Sequence, residues 1–171
     1  YVANFSLNSY TLTANTATYV NSQESNNNVG GTATVSDADN NGIYNHFEQA
    51  TFTATANEGY TFNGWYKHDA EGNATLITEA NPYIVTVDKD SNLVAHFSIN
   101  AYTVTSPVDL GGATIETAEN GANGGFNYET LVEVKALPRD GYTFTGWTVN
   151  NETTTVTLNG TQEDSTHSFT M

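Results

Sequence analysis

The stretch DADNNGIYNHFE, residues 37–48, carries the strongest coordination chemistry in the chain. It satisfies D-x-[DN]-x-[DN]-G-x5-E, the spacing of a calcium-binding loop. Asp37, Asp39 and Asn41 would offer side-chain oxygens, Ile43 a backbone carbonyl and Glu48 two carboxylate oxygens, with Gly42 making the sharp turn. Calcium is thus the one cofactor the residues suggest. Loops of this kind normally sit between helices, whereas TATVS before this one and ATFTATA after it read as strands. Asp, Asn and Gly also dominate solvated turns, so the competing reading is a polar hairpin loop. The second half of the chain has no matching motif.

Other chemistry is sparse. His46, His68, His96 and His167 show no metal-ligand spacing and form no HExxH pattern, and His46 and His96 read as strand-surface residues. No GxSxG elbow or phosphate loop is present. With 19 acidic residues, no single carboxylate pair singles itself out as a glycosidase couple. Lys67, Lys89 and Lys135 are the only lysines able to donate to a Lys–Asn cross-link. In LVEVKAL, Lys135 alternates with Val132 and Val134 and falls on the solvent side with Glu133. No catalytic residue is expected.

These side chains must be positioned by strands. Thr, Val, Tyr and Phe are abundant, Gly and Asn punctuate them, and no long segment shows a 3.6-residue apolar period. Short runs such as SYTLTA (9–14), ATFTATA (50–56), YIVTV (83–87) and LVAHF (93–97) alternate with turn signals that include GG at 30–31 and DNNG at 39–42. The fold class is mostly β with little helix. A net charge of −15 opposes nucleic acid and anionic lipid. Without cysteine there are no disulfides, thiolate metal sites or cysteine nucleophiles, which fits a bacterial exported protein. No apolar run approaches the length of a membrane span. The chain opens on Tyr1 and reads as a fragment of a longer protein.

One phrase is written twice. GYTFNGW at 59–65 returns as GYTFTGW at 141–147, a shift of 82. VANFSLNSYTLT at 2–13 returns as VAHFSINAYTVT at 94–105, a shift of 92. The ten-residue difference places extra polar residues between Tyr10 and Gly59, in VNSQESNNNVGG and DADNNG, where loops accept insertions cheaply. In the repeated phrase, Gly59 and Gly141 supply a turn ahead of a strand. Gly64, and Gly146 in the second copy, permit a bulge or a close backbone approach just before the indole. One reading makes Tyr60, Phe62 and Trp65, with Tyr142, Phe144 and Trp147, anchors of two small cores. The other makes Trp65 and Trp147 exposed platforms for sugar rings.

The order Y-T-V-T, GG, V-x-V-x-A, GYTFxGW, NPYIVTV, LVAHF resembles the divergent internalin B-type B-repeat domains, tandem modules of bacterial surface and secreted proteins. Gly59, Tyr60, Phe62, Gly64, Trp65, Asn81, Pro82, Ala95 and Phe97 carry the resemblance in the first copy, and Gly141, Tyr142, Phe144, Gly146 and Trp147 in the second. It implies two small β-grasp-like units and no catalytic residues.

On this reading residues 1–9 are the closing strand of a preceding repeat or the first strand of unit one. Residues 10–99 form unit one with its polar insertion. Residues 100–171 form unit two, in which HSFTM (167–171) matches PYIVT (82–86) and the last strand is missing. An offset division, with VANF opening unit one and VAHF opening unit two, leaves both units complete and is the reading preferred here. The function expected is a non-catalytic extracellular stalk, spacer or adhesion module whose partner is a protein or glycan on a host or cell surface. The alternative is a carbohydrate-binding accessory module of a secreted glycan-active enzyme.

Overall fold

A computed structural model describes residues 1–25, 27–36, 42–103, 113–117, 125–150, 155–159 and 166–170. The regular elements among them are all strands, as the abundance of β-branched and aromatic residues predicts. The chain divides into two units, Tyr1–Asn100 and Ala101–Met171.

The first unit contains β1 (Ser9–Val20), β2 (Gln23–Ser25), β3 (Gly31–Val35), β4 (Ile43–Asn45), β5 (Gln49–Ala56), β6 (Tyr60–His68), β7 (Ala74–Thr78), β8 (Tyr83–Thr86) and β9 (Ser91–Ile99). A mixed sheet runs β2-β1-β9-β6-β7, with β4 paired to the first residues of β1. At its centre β1 and β9 are parallel, from Leu12 opposite Ser91 to Tyr19 opposite Ser98. First and last strands lying parallel in the middle is the β-grasp order. A second, antiparallel sheet runs β3-β5-β8. The core between them comprises Leu12, Tyr44, Phe52, Trp65, Val87, Leu93 and Phe97 with small alanines.

β9 explains why LVAHF is nearly continuous in apolar character. Leu93, Val94, Ala95, His96 and Phe97 are all buried, as a central strand covered on both faces requires. This strand is held between β1 and β6, so VAHF closes unit one and does not open unit two. VANF, its sequence twin, lies in residues 1–8, which form no strand. Val2 and Phe5 there are exposed.

The repeated phrase encodes a bulge. Phe62 opposes Phe97 while Gly64 opposes His96, which leaves Asn63 as the extra residue of β6. An uninterrupted strand would point Phe62 and Trp65 to opposite faces. The bulge turns both rings into one core, 5.7 Å apart edge to face. Gly64 takes φ +135°, and a Cβ there would stand 2.6 Å from Leu76 Cδ1.

Gly30 and Gly31 read as a turn in the sequence, and their structural role is different. They are buried, and Gly31 already belongs to β3. A Cβ on Gly31 would lie 2.4 Å from the Thr55 carbonyl oxygen and 2.6 Å from the Phe97 ring. The pair is needed so that backbone can cross an aromatic face.

The second unit contains β10 (Ala101–Tyr102), β11 (Ala113–Thr117), β12 (Phe126–Asn127), β13 (Leu131–Pro138), β14 (Gly146–Asn150), β15 (Thr155–Asn159) and β16 (Thr166–Thr170). Its strands reproduce four pairings of the first, those of β1 with β4, β3 with β5, β5 with β8 and β6 with β7. Tyr102 opposes Phe126 as Tyr10 opposes Tyr44. The trio β11-β13-β16 matches β3-β5-β8. Buried Phe126, Val132 and Ala136 stand where Tyr44, Ala50 and Ala54 stand. Gly59 and Gly141 have φ of +77° and +85° and open the same turn, closed by Tyr60 N–H to Asn57 and by Tyr142 N–H to Arg139.

These equivalences relocate the ten extra residues. Tyr10 to Tyr102 is a shift of 92 and Gly31 to Ala113 already one of 82. The surplus therefore lies between Tyr10 and Gly31, and DADNNG is not inserted. Pairing also moves the last match by one residue. Thr170 opposes Leu131 as Thr86 opposes Gln49, so Thr170, not Met171, corresponds to Thr86. Among the described residues, no strand of unit two takes the place of β9.

Candidate functional site

The candidate calcium loop joins β3 to β4, so both flanks are strands. Its ends are drawn together by Tyr44, whose hydroxyl donates to the Ser36 carbonyl. Ser36 N–H donates to the Thr51 carbonyl, and Thr51 N–H donates back to Ser36 Oγ. Asp37, Asp39 and Asn41 lie outside the described residues. Gly42 has φ +69°, the left-handed conformation its place in the motif asks for. Ile43 opposes Thr11 in the β1–β4 pair. Glu48 Oε2 accepts the Asn45 N–H at 2.9 Å, closing a tight turn in which Phe47 takes φ +69°. At least one carboxylate oxygen of Glu48 is therefore engaged in the turn. Among the described residues, no three side chains of His, Cys, Asp or Glu gather as a metal site.

The repeat signature maps onto the core. Trp65 has no exposed surface and meets Phe52 edge-on at 5.4 Å. That geometry gives it the anchor role in unit one and rules out a sugar platform there. Tyr60 and Phe62 are half-buried, whereas Tyr142 is exposed and Phe144 half-buried. Trp147 lies in β14 opposite Leu158, and its side chain lies outside the described residues. Asn81 shows why NPY matters. Its amide donates to the Ala54 carbonyl at 2.7 Å and accepts the Ala54 N–H at 3.0 Å, extending the β5–β8 ladder by one side chain.

The histidine reading needs correction. His96 is 5 % exposed and is not a surface residue, because β9 is covered on both faces. Its Nε2 lies 2.8 Å from His68 Nε2. The Tyr66 ring stacks on it at 3.8 Å and 8°, and Tyr19 packs against it at 4.7 Å. Burial pushes the His96 imidazole down to about 4, and the neighbouring His68 adds to that. Burial likewise raises the Tyr19 phenol, with Glu24 contributing. Sequence spacing could not pair residues 28 apart. The signal that existed was a polar residue in the middle of an apolar strand.

Lys67, Lys89 and Lys135 are all exposed, which removes the burial an amide cross-link would need. Lys67 and Lys89 are two of the four basic residues in the chain. They border an open groove of about 450 Å³ with Leu12, Ile77, Ile84 and Leu93. No helix among the described residues is long and apolar enough to cross a membrane.

Fold and signature together define a β-repeat module whose repeated residues build cores. Residues 21–101 and 102–171 each match the divergent InlB B-repeat domain, and the chain belongs to that family. It is also similar to Internalin H of Listeria monocytogenes, 40 % identical over 96 residues. That match covers 56 % of this chain and 15 % of the relative's length. No solved structure matches.

Proposed function

We propose that the two units serve as a non-catalytic extracellular module, a spacer or adhesion segment of a bacterial surface or secreted protein. The observation that carries this is the destination of the repeated phrase. In unit one it supplies a turn glycine, a bulge and a fully buried indole. What the repeat preserves is therefore a folded unit and not an exposed reactive constellation. Membership of the B-repeat family supports the same reading. So do the exposed Val2 and Phe5, which copy the buried Val94 and Phe97. We read them as the closing strand of a neighbouring unit, as tandem use requires.

The partner proposed is a protein or glycan at a host or cell surface, and the groove bordered by Lys67 and Lys89, lined by both polar and apolar side chains, is a concave surface open to it. The carbohydrate-binding alternative loses Trp65 as a platform. An antibody raised against this chain should label intact, unpermeabilised cells of the source organism or its culture supernatant. Labelling only after permeabilisation would overturn the extracellular assignment. Glycan-array binding that disappears on substituting exposed aromatics such as Phe47 or Tyr142 would favour the alternative.

A further inference from the structure

We infer that His68 and His96 form a two-imidazole binding site for a divalent transition ion of the zinc class. The two Nε2 atoms face each other at 2.8 Å, with ring centroids 5.1 Å apart and planes at 89°. Without metal this is a straight N–H···N hydrogen bond, in which one ring donates and the other accepts. Two nitrogens bound to one tetrahedral zinc at about 2.0–2.1 Å stand about 3.3 Å apart, so the pair must open by about half an ångström and one ring must swing by roughly 70° for the two Nε2 lone pairs to converge on the metal instead of meeting head-on.

The surroundings allow that movement on one side. His96 is clamped between the Tyr66 ring from β6 and the Tyr19 ring from β1. Held ligand rings of this kind lower the ordering cost of coordination. His68 is the last residue of β6 and only half-buried, so it can turn towards an ion arriving from solvent. Among the described residues, neither ring is hydrogen-bonded to a carboxylate. A ligand pair made of imidazole nitrogen selects zinc, copper or nickel over calcium and magnesium, which prefer oxygen. Water completes the coordination shell. The site differs from the Asp37–Glu48 motif in its residues and in its ligand chemistry.

The test uses the full, untagged chain with zinc chloride as the probe. Long-range ¹H–¹⁵N spectra at neutral pH should show the His68 and His96 Nε2 resonances moving on zinc addition, with those of His46 unmoved. Calorimetry of His68→Ala should show affinity for this site falling by about tenfold or more. His68 ends a strand, so that variant keeps the wild-type circular dichroism spectrum. His96→Gln should lose the same binding, and if it fails to fold, His68→Ala carries the comparison alone. Nε2 resonances unchanged at saturating zinc, or equal affinity in His68→Ala, would overturn the site.

Discussion

Trp65 shows how one side chain can cost and stabilise at once. Its Nε1–H is buried without an acceptor among the described residues, a penalty of about 1–3 kcal/mol. Burying about 150–250 Å² of ring at about 25 cal/mol per Å² returns roughly 4–6 kcal/mol, so the ring term wins. Trp65→Ala should therefore lower unfolding free energy by about 3–5 kcal/mol in denaturant melts. In a Trp147→Phe background, emission from Trp65 alone should be blue-shifted, and emission at the wavelength of a hydrated indole would contradict its burial. His96 makes a second residue-scale prediction. Its folded-state value of about 4 lies below the ordinary 6.5, so between these values the unfolded chain binds more protons. Stability from this group is complete above about pH 6.5 and is lost as pH falls towards 4. Asp69 is depressed below 3.8 by hydrogen bonds from the Asn73 side chain and backbone, so its loss comes at lower pH. Thermal melts across pH 7 to 4 should fall for the wild type and fall less for His96→Phe. Parallel curves would remove His96 as the cause.

At the scale of elements, the β3–β4 connection poses the open question of calcium. Flanking strands and the Glu48 turn leave a loop closed by Ser36 and Tyr44. The proposal that it binds one calcium ion rests on the motif from Asp37 to Glu48. Binding to the folded state alone would stabilise by about 2.7 kcal/mol at a hundred-fold excess over Kd. Extracellular sites often have Kd on the order of 10⁻⁴–10⁻³ M, so melts belong in millimolar calcium and in excess chelator. A raised Tm that Asp37→Ala abolishes would establish the site. Superimposed curves would leave a solvated turn. The fact that DADNNG is not an insertion sharpens this test, since unit two spans the same interval with ENGANG and lacks the ligand pattern.

At the scale of the molecule, each unit carries its own buried residues. In unit one the first and last strands pair over eight residues, Leu12–Tyr19 with Ser91–Ser98. Such closure makes the unit depend on contacts between its own two ends. Residues 1–100 expressed alone should fold cooperatively, with a single thermal transition and a buried Trp65. A piece ending at 90, without β9, should not. A cooperative melt from the shorter piece would show that β9 is dispensable and that the unit boundary is wrong.

Local rules made much of this legible. Residue types dictated strands, glycines dictated the turns at Gly59 and Gly141, and the doubled phrase dictated two units of one family. Gly64 ahead of a bulky ring allowed either a bulge or a close backbone approach, and the register of β6 against β9 chose the bulge. Three matters were decided only by the tertiary structure. Gly30 and Gly31 looked like a turn because nothing local announces a Phe97 ring passing 66 residues later. VAHF could open one unit or close another until parallel pairing with β1 assigned it, since an apolar run specifies burial but not its partners. His96 looked like a surface residue because alternation alone cannot show that a strand is covered on both faces. Its contact with His68 depends on the register of β6 against β9, which the Asn63 bulge resets. Sequence carries periodicity and conformational preference, whereas which strand lies beside which is set by long-range packing.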